Sequence, residues 1–178
     1  MIYTAHVDSP VGKLLLAERN GGLIGLWIAG QKYDGDALRG ETAEQETPLL
    51  ARTRVWLDRY FAGERPDSAE LPLSPEGGAF RREVWQILCG IPYGETRTYG
   101  GIARIMAARS GREKMSAQAV GGAVGHNPIS IIIPCHRVVG ADGSLTGYAA
   151  GIAVKEQLLA HEGADMTKLF YPRRGTAL

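Results

Sequence analysis

An α/β protein of two domains is predicted, with an antiparallel sheet and a helix first and a mostly helical half after it. Three features carry this. From Ile2 to Ile28 apolar residues come in strand-length runs parted by turn residues. From Thr47 to Phe61, and again from Ala79, they recur at helical spacing. Between these helices Glu64–Gly78 has no periodicity and contains Pro66, Pro72 and Pro75, so a linker or wrapping loop is expected, with domains at 1–78 and 79–178.

In order along the chain, Tyr3 to Val7 alternates, Asp8-Ser9-Pro10 turns, and Lys13 to Glu18 continues. Asn20-Gly21-Gly22 signals a hairpin turn, and Leu23 to Ile28 returns. Leu49, Leu50, Thr53, Val55-Trp56-Leu57 and Tyr60-Phe61 suit an amphipathic helix that starts at Thr47-Pro48 and stops at Gly63. The second half opens with a helix over about Ala79 to Cys89, closed by Gly90 and Pro92. Thr98 is a candidate N-cap for a helix over Tyr99 to Ala108, Ser116 for one over Ala117 to Val124, and a last helix runs from Ala153 to His161. Ile131, Ile132 and Ile133 read as a short buried strand.

The composition, 44% hydrophobic and 22% charged over 178 residues, is that of an ordinary globular protein. The start, MIYTAHVDSP, lacks the basic and apolar regions of a signal peptide, and no apolar run has the length of a membrane span, so a cytoplasmic protein with no membrane partner is expected. Cys89 and Cys135 sit in dissimilar contexts, which predicts one buried inert thiol at Cys89 and one working thiol at Cys135 rather than a disulfide. No C-x-x-C or H-E-x-x-H spacing is present, and no metal site is expected. The net charge of +1 divides unevenly. Residues 1–80 hold 8 Lys+Arg against 12 Asp+Glu, and residues 81–178 hold 12 against 7. The basic second half is the candidate for an anionic partner, with Arg104, Arg109, Arg112 and Lys114 as candidate phosphate contacts.

Two short helices, Tyr99 to Ala108 and Ala117 to Val124, are similar to a helix-turn-helix with a lengthened loop. The second, AQAVGGAV, has almost no large side chains, although its glycine pair costs roughly 1 kcal/mol per residue relative to alanine. Either it packs tightly inside the domain or it is a smooth helix for a nucleic-acid groove.

The stretch NPISIIIPCHRVVG sets a thiol, an imidazole and a guanidinium inside an apolar run. A free thiol has a pKa near 8.5, so an attacking Cys135 needs a base or a cation, which His136 and Arg137 supply. On an extended segment neighbouring side chains point apart, which leaves open a direct Cys135–His136 hydrogen bond or a bridging water. A carboxylate should orient the imidazole. Glu162, at a helix C-terminus where negative charge opposes the macrodipole, is the candidate, and an exposed glutamate is the alternative.

PCHRV, preceded by QAVGGAVGHNP and followed by GYAAGIAVKEQLLAHEG, resembles the methylated-DNA–protein-cysteine methyltransferases, or O6-alkylguanine-DNA alkyltransferases. The match runs from FRREVWQILCGIPYGETRTYGGIA to the last helix, and the first half, with DSPVGKLLLA, agrees more weakly. The resemblance implies a ribonuclease-H-like N-terminal domain and a winged-helix-like domain that binds DNA and carries the active site. It implies single-turnover repair of alkylated bases in double-stranded DNA by a monomer without a cofactor. Cys135 would accept the alkyl group, His136 would be its base through a water, and Glu162 would orient His136. Tyr99 would supply a proton near the guanine ring, and Asn127 would fix the hinge. Val124, Pro134, Val138, Tyr148 and Ala149 would form the substrate pocket. Thr98, Tyr99, Ala117, Gln118, Ala119, Gly121, Gly122 and Arg137 would contact DNA, with the helix from Ala117 in the minor groove. Gln118 stands where many members have an arginine that fills the gap left by a flipped base, and Ala149 stands where a serine is common. A non-transferring damage sensor on the same fold is the nearest alternative, but such relatives lack the cysteine. A thiol hydrolase or redox enzyme and a purely regulatory DNA-binding domain are the others.

Overall fold

The computed structural model describes residues 1–35 and 38–172. The chain divides into two compact units. One comprises Met1–Glu76 together with Pro128–Ile132, and the other comprises Gly77–Asn127 and the chain from Ile133 onward.

In the first unit β1 (Ile2–Ser9), β2 (Gly12–Arg19) and β3 (Gly22–Ile28) form an antiparallel meander. Asn20 at φ 52° and Gly21 at φ 76° make the two-residue turn between β2 and β3, in which both residues have positive φ. A short β4 (Thr42–Glu44) adds in parallel to the free side of β1, giving the order β3-β2-β1-β4. The strand was not legible because TAE has no apolar alternation. It is held by main-chain bonds, Ile2 N–H to the Glu41 carbonyl at 2.8 Å and Gln45 N–H to that of Thr4 at 3.0 Å.

From Leu23 to Ile28 β3 is buried residue after residue, as befits a strand packed on both faces. Gly25 is required by close approach, because a Cβ there would lie 1.9 Å from the Trp27 ring. Trp27 packs with Ile2, Ala17 and Ile24. Helix α1 (Pro48–Phe61) lies against the sheet, starting as the sequence indicates. Thr47 Oγ1 accepts from Leu50 N–H at 3.1 Å and donates to the buried Glu18 carboxylate at 2.7 Å, so one hydroxyl caps the helix and ties it to β2.

The Pro-rich segment after α1 wraps rather than links. Trp56 Nε1–H donates to the Asp67 carbonyl at 2.8 Å, and Leu23 accepts from Ser74 and donates to Pro72 along β3. Residues 128–132 run along the same strand, with Leu26 N–H bonded to the Pro128 carbonyl and Ser130 N–H to that of Leu26, both at 2.9 Å. Ser130 Oγ reaches Gln31 Oε1 at 3.2 Å. Covering the edge strand in this way shields it from pairing with another chain.

The expected strand at Ile131–Ile133 is absent. Ile132 N–H bonds the Ser130 carbonyl and Cys135 N–H bonds that of Ile133, each at 2.8 Å, so two γ-turns follow in succession. One is centred on Ile131 at φ 69°, a strained conformation for a β-branched residue, and the other on Pro134 at φ −81°, ψ 64°. The three isoleucines are buried as expected, but burial alone does not distinguish a strand from a turn.

In the second unit α2 (Ala79–Cys89), α3 (Tyr99–Ser110) and α4 (Ala117–Gly125) pack on one another. Thr98 Oγ1 caps α3 through Gly101 N–H at 2.9 Å, and Ser116 Oγ caps α4 through Ala119 N–H at 3.2 Å. Gly111 at φ 65° ends α3 in the left-handed conformation. A parallel pair too short to read from sequence, β5 (Arg97–Thr98) and β6 (Val138–Val139), brackets this core, and α5 (Ile152–His161) follows. Cys89 corrects the sequence reading: it ends α2 exposed, not buried, because the apolar face of α2 runs through Val84, Ile87 and Leu88.

Candidate active site

Cys135, His136 and Arg137 form a single 3-10 turn leading into β6. The segment is not extended, so the rule that adjacent side chains point to opposite faces does not govern Cys135 and His136. His136 is fully buried, and its Nε2 lies 2.7 Å from Glu162 Oε1. Arg137 adds Nε to Glu162 Oε2 at 2.8 Å and Nη2 to Oε1 at 2.9 Å, and its Nη1 donates to the Ile91 carbonyl at 2.6 Å. Gly94 N–H lies 3.3 Å from the same carboxylate. Glu162 is therefore not an exposed glutamate. It is buried at the C-cap of α5, and this set of donors outweighs the unfavourable helix dipole.

Burial raises the Glu162 pKa, but the hydrogen bond from His136 and the hydrogen bonds and charge of Arg137 prevail and hold the carboxyl well below the usual range. Burial lowers the pKa of His136 against the pull of Glu162, so its ring rests neutral. With Nε2–H given to the carboxylate, the lone pair is on Nδ1. Burial raises the Cys135 thiol, opposed by a hydrogen bond from the Asn127 side chain, the Lys155 charge and neighbouring backbone N–H groups. A neutral thiol beside a neutral imidazole is a resting pair in which the proton moves only when the anion is needed.

Asn127 is buried and its Nδ2 also donates to the Ile133 carbonyl at 2.8 Å, which pins the backbone two residues before the thiol. Tyr99, the first residue of α3, directs its hydroxyl to the Thr146 carbonyl at 2.9 Å. Burial and then the Cys135 thiolate keep that phenol protonated. Val124, Pro134, Val138 and Tyr148 are buried in this unit, and Ala149 is half-buried beside Tyr148.

Lys155 was missed by the sequence reading. It is fully buried, and its Nζ donates to the carbonyls of Val138 and Thr146, the latter at 2.7 Å and shared with Tyr99. The ammonium lies 5.9 Å from the centre of the Tyr99 ring. Burial pushes its pKa down to about 8, against the pull of a Cys135 thiolate. The signal was available: Ile152, Lys155 and Leu159 share one face of α5, so a lysine sits on its apolar stripe.

On α4 the residues Ala117, Gln118, Ala119 and Gly122 are exposed and Gly121 is half-buried. A Cβ on Gly122 would meet nothing within 4 Å, and one on Gly121 would make only ordinary contact with Tyr99. Internal packing therefore does not require this glycine pair, and its effect is a smooth outer surface. Thr98 is half-buried as the cap of α3. Arg137, expected to contact DNA, is instead turned inward, with its guanidinium spent on Glu162 and Ile91. Arg104, Arg109, Arg112 and Lys114 are exposed, and Arg104, Arg112 and Lys114 border a groove of about 440 Å³ along α3. Among the described residues no group of His, Cys, Asp and Glu could hold a metal ion, and no helix is long and apolar enough to cross a membrane.

Comparison with known proteins agrees over both units. Residues 2–75 match the ribonuclease-like domain of 6-O-methylguanine DNA methyltransferase, and residues 79–164 match its DNA binding domain. The chain is 45% identical over 172 residues to a methylated-DNA–protein-cysteine methyltransferase of Mycolicibacterium paratuberculosis, covering 94% of this chain and 98% of that one. It is 39% identical over 175 residues to the protein of that name from Haemophilus influenzae, covering 98% and 91%. Among solved structures it is similar to Mycobacterium tuberculosis OGT in complex with DNA, with a TM-score of 0.78 and 39% identity over 94% of each chain. With both of its parts matched, the chain belongs to the 6-O-methylguanine DNA methyltransferase family.

Proposed function

We propose that this protein repairs DNA by moving an alkyl group from the O6 atom of guanine in a duplex onto its own Cys135, once per molecule. The observation that supports this best is a buried thiol in Pro-Cys-His-Arg followed by an imidazole whose far nitrogen is held by a buried carboxylate, in a chain of this family.

The target base is inaccessible inside a duplex and is flipped into a pocket bordered by Val124, Pro134, Val138, Tyr148 and Ala149. His136 takes the Cys135 proton through a water, and Glu162 fixes the ring and balances the imidazolium that forms. Asn127 and Lys155 stabilise the thiolate, one by hydrogen bond and one by charge. The sulfur attacks the alkyl carbon, an S–C bond forms, and the C–O electron pair returns to the guanine oxygen. Tyr99 leaves the Thr146 carbonyl and donates to a ring nitrogen as that charge develops, and the proton kept on His136 restores the balance. Atoms and charge close without a cofactor. The thioether is stable, so the protein is consumed.

Residues 79–178 carry the chemistry and the DNA contacts, and residues 1–78 carry no reacting group. Thr98 and Tyr99 contact the DNA, Ala117, Gln118, Ala119, Gly121 and Gly122 face the minor groove, and Gln118 fills the gap left by the flipped base. Arg137 acts from within by holding Glu162. A working thiol must stay reduced, which suits the cytoplasm, and one chain supplies every group the reaction uses.

Intact and peptide mass spectrometry after mixing with a duplex bearing one O6-methylguanine tests this. One added methyl group, mapped to Cys135 and absent from Cys135→Ala, is expected. Lesion binding without any methyl gain would replace transfer with damage sensing.

A further inference from the structure

Two buried side-chain atoms among the described residues have no hydrogen-bond partner, His136 Nδ1 and Tyr148 Oη. Both belong to the second unit. They are complementary: Nδ1 is a bare acceptor, because the other ring nitrogen is occupied by Glu162, and the phenol is a donor. Neither reaches the other directly. His136 adjoins Cys135 in the 3-10 turn, and the charges of Cys135 and Glu162 both act on the Tyr148 phenol. An unsatisfied buried donor and an unsatisfied buried acceptor around one thiol are best met by a shared water, which typically makes about three hydrogen bonds at such a position.

We propose that the Tyr148 hydroxyl is the second anchor of the water that carries the Cys135 proton to His136. The inference rests on the reading of Cys135 as the alkyl acceptor. The water accepts from Tyr148 Oη–H and from Sγ–H and donates to Nδ1. In the step itself the Sγ–H bond breaks and its electron pair stays on sulfur. That proton joins the water oxygen, while the water's own O–H bond toward Nδ1 breaks and a new Nδ1–H bond forms. The water is regenerated, the thiolate faces the alkyl carbon, and the imidazolium stands against Glu162. Tyr148 acts through the water and is a positioning residue.

Its surroundings suit the task. Burial, then the Cys135 thiolate and the Glu162 carboxylate, keep the phenol protonated, so it serves only as a donor. Among the described residues the interacting charged or titratable groups include Cys135, His136 and Arg137 in the 3-10 turn, Tyr93 against Arg137, Lys155 on α5, Glu162 at its end and Tyr99 on α3. Tyr148 also lies in the same loop as Thr146, whose carbonyl holds both Tyr99 and Lys155, so one loop sets the proton donor, the cation and the water.

Tyr148→Phe keeps the ring and deletes the hydroxyl. The first readout is the rate at which iodoacetamide labels Cys135 as a function of pH, followed by mass, which needs no DNA. The second is single-turnover methyl transfer from the lesion duplex. With the water less well held, labelling and transfer at pH 7 should fall about tenfold, the size of one lost hydrogen bond. The rising limb of the labelling profile should move up by about one pH unit, with its plateau retained. A purely structural defect would lower the rates at every pH and leave the limb in place, and that result overturns the proposal, as does an unchanged variant. If the parent protein gains no methyl group, the alkyl-transfer reading fails, and the iodoacetamide limb still decides the hydroxyl by itself.

Discussion

At the scale of single residues the site combines charges that oppose one another's cost. The buried Glu162 carboxylate is neutralised by the half-buried Arg137, leaving Lys155 as a buried cation that donates to carbonyl oxygens. Such a lysine is expensive to bury, which is why its pKa falls to about 8. A thiolate that appears only during reaction gains from that charge, and the gain vanishes when Lys155 loses its proton. The sign follows directly: below about pH 8 the ammonium is present and helps, and above it the help is lost. Single-turnover transfer should therefore show a falling limb near pH 8. Lys155→Arg, charged throughout the range, should lose that limb, and Lys155→Met should be slow on both sides of it. Profiles that coincide in all three proteins would remove Lys155 from the chemistry.

At the scale of elements, the end of α4 is held by another helix. An α-helix leaves its last carbonyls without intrahelical partners. The carbonyls of Gly122 and Val124 are taken by His126 and Asn127 N–H, and that of Ala123 is met by Trp85 Nε1–H of α2 at 2.8 Å. Trp85→Phe keeps most of the buried ring and strands that carbonyl, which should cost about 1–3 kcal/mol in chemical unfolding. Because Asn127 follows directly, transfer should slow as well; a variant as stable and as fast as the parent would show that the bond holds nothing. Helices of this kind were legible in the sequence, since Thr47, Thr98 and Ser116 cap where their hydroxyls predict and the apolar spacing is helical. Elements made by the main chain alone were not. The parallel additions β4, β5 and β6 have two or three residues each, and the γ-turns at Ile131 and Pro134 look like a strand because their side chains are equally buried. In the site, Cys135, His136 and Glu162 could be named from motif chemistry. The inward turn of Arg137 could not, because it depends on Ile91 and Glu162, both distant in sequence.

At the scale of the whole molecule the charges are segregated. Residues 1–80 carry four more acidic than basic side chains and residues 81–178 five more basic than acidic, so a near-neutral protein keeps a basic half for a polyanion. The exposed cations Arg104, Arg109, Arg112 and Lys114 gather on the later part of α3 and the loop before α4, whose smooth face adds little charge of its own. This arrangement separates two kinds of binding energy. Contacts from the cations to phosphate release counterions and make affinity fall with salt, with a slope of about 0.9 per phosphate neutralised. A contact from Gln118 within the base stack, as proposed, would release none. Replacing Arg104, Arg112 and Lys114 together by glutamine should weaken binding to damaged and undamaged duplexes alike and flatten the plot of log affinity against log salt by about two to three units. Gln118→Ala should weaken only the damaged duplex and leave the slope where it was. Fluorescence anisotropy over a salt series on both duplexes measures both quantities. A triple variant with the parent's slope would move the phosphate contacts off α3 and its loop, and a Gln118→Ala protein with full preference for the lesion would take that residue out of the gap left by the flipped base.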